Sequence, residues 1–194
     1  MPPRGRPRVD EVILDHALRL FYGEGIRSTG VDRIIAEAGV AGMSFYRNFK
    51  SKDGLVAAVL KRRDETWMAW LRDVVEAGEA SPRQRLLRVF DALDAWFGRA
   101  DFHGCMFINA AGEFADPAST ARRAAADHKR QLKSYLGGLA DQAGLPEATA
   151  AMLFLLAEGA IVAAFVQGDR DAARTARQAA EIVMSSPLAK ELPP

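Results

Sequence analysis

The side chains best suited to covalent or metal chemistry are one cysteine and the histidines. Cys105 is the single cysteine of the 194-residue chain, and His103 stands two positions before it. A thiol beside an imidazole could act as a nucleophile or, with His128, as a metal ligand. It could also sense oxidants or electrophiles if a following helix N-terminus lowers its pKa. A lone cysteine is more often a small buried hydrophobic residue.

No enzyme motif accompanies these residues. Ser134, paired with a distant histidine, is the other nucleophile candidate. The chain has no GxSxG elbow, P-loop, dinucleotide fingerprint or zinc-spaced cluster. The sequence therefore predicts no catalytic residue, no metal site and no cofactor, and an enzyme is kept only as an alternative from another class.

Basic side chains are concentrated at the N-terminus. Residues 1–63 contain 12 Lys and Arg against 7 Asp and Glu, a net charge of +5, whereas residues 64–194 contain 14 against 18, a net charge of −4. The two sum to the overall +1. A basic first third on a mildly acidic remainder is typical of a protein that binds a polyanion, although charge alone is a weak signal.

Helices are predicted along the whole chain, because apolar residues recur at helical spacing and no alternating β pattern is present. Thr29, Ser51 and Ser81 are predicted N-caps, and Gly39 is predicted to adopt the left-handed conformation of a tight turn. The predicted helices cover residues 10–24, 31–38, 42–49, 51–79, 82–99, 104–114, 117–142, 147–167 and 171–185.

The second and third predicted helices form a helix-turn-helix. Two short helices flank a turn that begins at Gly39, and Val40 and Phe45 are expected to fill the crease between them. The outward face of the second of these helices is small or polar enough to approach base edges in the major groove. This arrangement predicts a DNA-binding head.

The residues of this head resemble the signature of the tetracycline-repressor (TetR) family over about residues 9–56. The resemblance rests on Phe21, Gly25, Thr29, Val31, Ile34, Ala38, Gly39, Val40, Ser44, Phe45, Tyr46, Phe49, Ser51, Lys52, Asp53 and Leu55. It implies an all-α fold, in which a three-helix helix-turn-helix domain is joined by a long helix to a helical ligand-binding and dimerisation bundle. The implied divisions are a flexible basic arm at 1–8, the DNA-binding domain at 9–53 and the bundle at 54–194.

The resemblance also implies which residues meet DNA. Tyr46 and Lys52 match phosphate-contacting positions, and Asn48 stands where the family often has a histidine. Arg47 is the best candidate for reading a base, since a guanidinium can pair in bidentate fashion with guanine. Family members often have Ser-Lys-Gly where this chain has Ala41-Gly42-Met43, which leaves the sequence it reads open. The predicted DNA-binding set is Arg4, Arg6, Thr29, Gly42, Met43, Ser44, Tyr46, Arg47, Asn48 and Lys52.

A strongly apolar segment near the C-terminus is predicted to pair with a second copy of the chain. Residues 151–166 contain one charged side chain, Glu158, and are too few to cross a membrane. The alternative is a central core helix of one subunit, and both can hold on different faces. The predicted dimer residues are Met152, Leu155, Leu156, Gly159, Val162, Ala163 and Val166.

The middle of the chain is rich in aromatic residues that could line an apolar pocket with a few polar groups. Each residue taken singly is more often plain core. The predicted ligand-binding set is Trp67, Trp70, Trp96, Phe102, Met106, Phe107, Asn109, Tyr135 and Glu158.

The sequence thus predicts a homodimeric, ligand-responsive repressor that a small hydrophobic effector releases from pseudo-palindromic, double-stranded operator DNA. A redox- or electrophile-sensing repressor based on Cys105 is one alternative, and an interaction module without DNA is another. Whether the protein represses or activates depends on where its operator lies. A cytoplasmic location without membrane contact is expected, because the start of the chain has no apolar run behind its charges.

Overall fold

The computed structural model describes residues 8–186 as an all-α protein, as the sequence predicted. Nine α-helices and no strand occur in that range. Their bounds are α1 (Val9–Glu24), α2 (Val31–Ala38), α3 (Gly42–Phe49), α4 (Lys52–Glu76), α5 (Pro82–Phe97), α6 (Met106–Glu113), α7 (Thr120–Gln142), α8 (Glu147–Val162) and α9 (Ala172–Ser185).

Two compact units make up the described residues. The head unit comprises residues 8–65 with Met106–Ala126, and the body unit comprises Thr66–Cys105 with residues 127–186. The helices α4 and α7 each contribute residues to both units, and α6 lies wholly in the head unit.

The head unit is built on α1, α2 and α3, which pack on one another. Ile13, Leu20, Ile34 and Phe45 are fully buried, because their helical spacing places them on the inward faces of the three helices. Gly39 follows α2 with a φ of 62°, the left-handed conformation predicted for the turn. Its N–H donates to the carbonyls of the last turn of α2 and so ends that helix.

The prediction that Thr29 caps α2 is wrong. Gly30 is the N-cap residue, and no side chain caps the helix. Thr29 is instead fully buried, and its hydroxyl donates to the carbonyl oxygen of Gly25 at 2.8 Å. A threonine hydroxyl can satisfy itself on a backbone carbonyl four residues earlier, and here that local bond wins over the cap.

A tight junction joins α3 to α4. Lys50 has a φ of 64°, and the N–H of Ser51 donates to the carbonyl oxygen of Phe49 at 2.7 Å, so Lys50 is the centre of a γ-turn. The hydroxyl of Ser51 accepts from the N–H of Gly54, which confirms Ser51 as the cap of α4. A Cβ at Gly54 would lie 2.1 Å from the oxygen of Phe49, so this turn requires glycine.

The body unit is held together by packing of α5, α8 and α9. Ser81 caps α5 and Pro82 takes its first helical position, as the sequence predicted. The side chain of Gln84, which was not predicted, completes a reciprocal capping box with Ser81. Phe90 and Leu93 on α5 are buried in the core.

The apolar helix α8 continues into a π-helical turn at Ala163–Gln167 and ends at Gly168. The helical run Glu147–Gln167 is 21 residues long and contains an 18-residue window with a mean hydropathy of 2.1, so length and composition alone would allow it to cross a membrane. The expectation that this segment is too short for a membrane helix counted only residues 151–166. One face of the run packs on α9 and α5, as in a core helix.

Candidate nucleic-acid interface and effector site

The helix α3 presents a two-sided surface. Phe45 and Phe49 point into the head unit and are buried. Met43 is 82% exposed and Tyr46 53% exposed, and Arg47 is exposed beside them. Large side chains on the solvent side of an eight-residue helix, held by two buried aromatic rings, give the shape of a recognition helix.

The other predicted positions on α3 are placed less uniformly. Gly42 and Ser44 are half-buried, whereas Asn48 is exposed. The amide of Asn48 donates to the carbonyl oxygen of Ser44 at 2.7 Å, which orients it along its own helix. Thr29 does not share this exposed face, because its side chain lies in the core of the head unit.

Lys52 stands in the first turn of α4, near the loop between α1 and α2. Its Nζ donates to the carbonyl oxygen of Arg27 at 3.4 Å, and its side chain is half-buried. The N-terminus of α4 and the Lys52 ammonium together form a positive site suited to a phosphate. Arg4 and Arg6, predicted for the basic arm, lie outside the described residues.

Sequence reasoning missed the residue that fastens this loop. The carboxylate of Glu113, the last residue of α6, accepts from the backbone N–H of Ile26 at 2.9 Å and of Arg27 at 2.6 Å. The guanidinium of Arg27 donates in return to the carbonyl oxygen of Glu113 at 3.1 Å. These contacts span 86 and 87 positions of the chain. A local pattern cannot reveal such a pairing.

Exposed ion pairs tie α1 to α2 on the outside of the head unit. Arg33 on α2 donates to Glu24 at the end of α1 at 2.8 Å and to Glu37 at 2.9 Å. The hydrogen bond from Arg33 lowers the pKa of Glu24 below its usual value. Exposed pairs of this kind are worth little individually. Their role is to fix the orientation of the two helices.

Part of the predicted ligand set meets in one aromatic cluster of the body unit. Trp67 contacts Trp96 edge to face, with ring centroids 5.5 Å apart, and lies 6.0 Å from Trp70. Trp96 in turn contacts Phe102 at 5.1 Å. We call Trp67, Trp70, Trp96 and Phe102, with the buried ring of His128 at 5.3 Å from Trp67, the aromatic cluster.

The remaining predicted ligand residues lie elsewhere. The Tyr135 hydroxyl donates to Glu76 at 3.2 Å, with Arg72 over its ring at 5.6 Å. Burial and then the charge of Glu76 raise the pKa of Tyr135 to about 12. Met106, Phe107 and Asn109 belong to α6 and therefore to the head unit, where the first two are buried.

Cys105 lies in a polar contact that sequence spacing did not show. The Nζ of Lys129 lies 3.5 Å from the sulfur of Cys105 and 2.7 Å from the carboxylate of Glu158. The thiol is buried, and the Lys129–Glu158 pair is largely shielded from solvent. No group of three or more His, Cys, Asp and Glu side chains within residues 8–186 is arranged to hold a metal.

Comparisons with known proteins match this geometry. Residues 13–59 match the family model of bacterial regulatory proteins of the tetR family. The crystal structure of SCO4454, a TetR-family transcriptional regulator from Streptomyces coelicolor, is 31% identical and superimposes with a TM-score of 0.83 over 91% of this chain and 94% of that one. The chain belongs to the TetR family.

Two further relatives agree with this assignment. The transcriptional repressor ComR of Escherichia coli is 29% identical over 140 residues, which are 69% of this chain and 67% of ComR. The repressor NemR of Escherichia coli is 25% identical over 115 residues, 59% of this chain and 58% of NemR. The structure of reduced NemR, at 21% identity and a TM-score of 0.82 over 92% of this chain and 98% of that one, shows the same fold.

Membership of the TetR family makes the chain a transcription regulator, not an enzyme, as the sequence predicted. Regulators of this family bind operator DNA as dimers.

Three of the predicted dimer residues of this TetR-family chain are large, apolar and exposed. Leu155 is 67% exposed and Val166 71% exposed, and Val162 lies between them on the same side of the helical run. Gly159 is exposed, whereas Met152, Leu156 and Ala163 are half-buried. Two residues that were not predicted, Phe165 in the π-helical turn and Ile182 on α9, are also exposed. We call Leu155, Val162, Phe165, Val166 and Ile182 the apolar stripe.

Proposed function

We propose that this regulator is a homodimeric repressor that reads a pseudo-palindromic operator through the exposed face of α3. The observation that carries the proposal is the division of α3 into a buried aromatic side and an exposed side with Met43, Tyr46 and Arg47. Arg47 is assigned to base edges, and Tyr46 and Lys52 to phosphates. Gly42, Ser44 and Asn48 line the same approach. The regulator acts in the cytoplasm, where its DNA target lies.

The apolar stripe supports the dimer. Large apolar side chains on neighbouring helices rarely face water together unless they bind something. A symmetric pair of α8 and α9 helices would cover them and set two α3 helices one or more helical turns of DNA apart. Gly159 and Ala163 would let the two backbones approach closely.

A small hydrophobic effector is proposed to bind in the body unit and release the operator. The aromatic cluster supplies stacking surface for such a molecule. Release requires that the effector prefer one of two states of the regulator, since a ligand shifts an equilibrium only by its differential affinity. Lys52 on α4 and Glu113 on α6 both contact the loop at Ile26–Arg27, so a shift in either helix would reach the DNA-binding helices.

The experiment that tests DNA recognition is selection from a random duplex pool with the purified regulator. The expected result is enrichment of an inverted repeat whose half-sites are spaced by one or more helical turns. An Arg47→Ala protein, run in parallel, is expected to enrich the repeat with one base position relaxed. A pool that gains no common sequence in repeated rounds would contradict the proposal.

Redox or electrophile sensing at Cys105 is a second candidate function, favoured by the contact of Lys129 with the sulfur. The Cys105 thiol would add to the β-carbon of an unsaturated ketone. A C–S bond would form as the π bond between the α- and β-carbons breaks, and the thiol proton would be transferred to the α-carbon. With 2-cyclohexen-1-one as probe, a mass adduct at Cys105 accompanied by loss of operator binding is expected. The same treatment of Cys105→Ser should leave DNA binding intact, and loss of binding there would contradict this candidate.

A further inference from the structure

One polar atom of the aromatic cluster has no partner among the described residues. The indole Nε1–H of Trp67 is buried, and no acceptor from residues 8–186 reaches it. The side chain as a whole is 7% exposed. Buried donors in folded proteins are nearly always hydrogen-bonded, because an unpaired one has lost its bond to water and gained nothing. This atom therefore needs an explanation.

None of the rings that contact Trp67 accepts a hydrogen bond from its Nε1–H. Trp96 and His128 meet its ring edge to face, and Trp70 lies tilted beside it. Aromatic faces accept hydrogen bonds only weakly. The carboxylate of Glu158 accepts from Lys129 at 2.7 Å and not from Trp67. The cluster thus combines apolar aromatic rings with one unused hydrogen-bond donor.

We propose that Trp67 is the polar recognition residue of the effector site, and that the effector is a flat, uncharged apolar molecule carrying a hydrogen-bond acceptor. A ring nitrogen or a carbonyl oxygen would serve. The inference rests on the proposed function, in which a hydrophobic molecule binds the body unit, and it adds the chemical group by which that molecule is selected. Ligand sites are mostly apolar, and a few placed polar groups fix orientation and specificity.

The unpaired state of the donor strengthens the selection. A donor that is already bonded must break that bond before it can bind a ligand, and the two energies largely cancel. The Trp67 N–H has no protein bond to lose. An acceptor-bearing molecule therefore gains a hydrogen bond that an apolar molecule of the same shape does not.

The test compares quinoline with naphthalene, two flat molecules of the same size that differ by one ring nitrogen. Their dissociation constants are measured by equilibrium dialysis with the full-length regulator and with Trp67→Phe and Trp70→Phe variants. Trp67→Phe is expected to weaken quinoline binding about tenfold and naphthalene binding by less than about twofold. Trp70→Phe, which removes the neighbouring indole, should change the two constants by the same factor. Equal weakening of both probes in Trp67→Phe would overturn the proposal.

A second measurement uses the wild-type regulator, so it does not depend on folding of the Trp67 variant. The chain has three tryptophans, and their indole ¹H–¹⁵N signals can be assigned to Trp67 by elimination with Trp70→Phe and Trp96→Phe. Quinoline is expected to move the Trp67 proton signal downfield, and naphthalene is not. An identical shift of the Trp67 signal with both probes would overturn the proposal. So would the absence of any shift with either probe up to the limit of its solubility.

Failure of this inference differs from failure of the proposed function. Operator binding is measured on the same preparations without any probe. If the regulator binds its operator normally but Trp67 shows no preference for quinoline, only the assigned role of Trp67 is rejected and the repressor function stands. A quinoline-specific response in a protein that enriches no DNA sequence would remove the repressor function and leave the site.

Discussion

Lys50 carries the one positive φ outside glycine within residues 8–186. At 64° it is the centre of the γ-turn between α3 and α4, a conformation that strains any residue with a Cβ. Lys50→Gly is expected to raise the free energy of unfolding by about 0.5–1 kcal/mol, since glycine relieves the strain but loses more entropy on folding. Urea unfolding measures the change. Lys50→Ala keeps the Cβ and should leave stability unchanged, and an equal gain there would contradict the strain account.

The carboxylate of Glu113 accepts from two backbone N–H groups and is therefore expected to contribute to stability. Glu113→Gln retains one acceptor oxygen for the two backbone N–H groups of Ile26 and Arg27, and it loses the charge. A loss of about 1–2 kcal/mol in the free energy of unfolding is expected, since bonds to charged acceptors are the stronger ones. Faster hydrogen exchange at the Ile26 and Arg27 amides should accompany it. Glu37→Gln removes only exposed ion pairs and should cost less than about 1 kcal/mol.

At the scale of the elements, local sequence signals predicted the helices but not the contacts between residues far apart in the chain. The bounds of α2 and α3 agree residue for residue with the prediction, because glycines and apolar spacing mark them. Thr29 was wrongly predicted to cap α2, because its hydroxyl can bond either the start of that helix or the carbonyl oxygen of Gly25, and it bonds Gly25. The contacts of Glu113 on α6 with Ile26 and Arg27 join residues more than 80 positions apart, which no short window of sequence contains.

The junction of α3 and α4 gives a prediction about glycine. Gly54→Ala would place a Cβ 2.1 Å from the backbone oxygen of Phe49, so the turn must shift. A loss of roughly 2–4 kcal/mol is expected, in the range of severe steric changes. Gly112→Ala on α6 meets no atom within 4 Å and should stabilise by up to about 1 kcal/mol. Thermal unfolding of both variants checks the contrast, and similar melting temperatures would contradict it.

The pairing of α4 with α7 through Tyr135 predicts a pH dependence. The folded pKa of about 12 lies above the ordinary value near 10 for a free tyrosine. The stabilisation is therefore fully present below pH 10 and is lost as the pH rises through about 12, because the unfolded state ionises first. Absorbance titration should show a late phenolate step that Tyr135→Phe removes. A late step that survives in the variant would contradict this assignment.

On the scale of the whole molecule, the apolar stripe predicts the oligomeric state. Leu155→Glu with Val166→Lys should cost little stability in the isolated chain, since both side chains are mainly exposed. The double variant is expected to be a monomer by light scattering and to bind operator more weakly. Val9→Gln changes an exposed apolar residue of the head unit and should remain dimeric. A double variant that stays dimeric would move the interface to another surface.

The central claim is that α3 reads DNA sequence while Lys52 holds the phosphate backbone. Binding of the selected operator and of a scrambled duplex is measured across a salt series for wild type, Arg47→Ala and Lys52→Ala. The account predicts that Arg47→Ala loses about 1–3 kcal/mol of preference for the operator, whereas Lys52→Ala weakens both duplexes alike and lowers the salt slope by about 1. Equal affinity of the wild type for both duplexes, unaffected by either substitution, would contradict it.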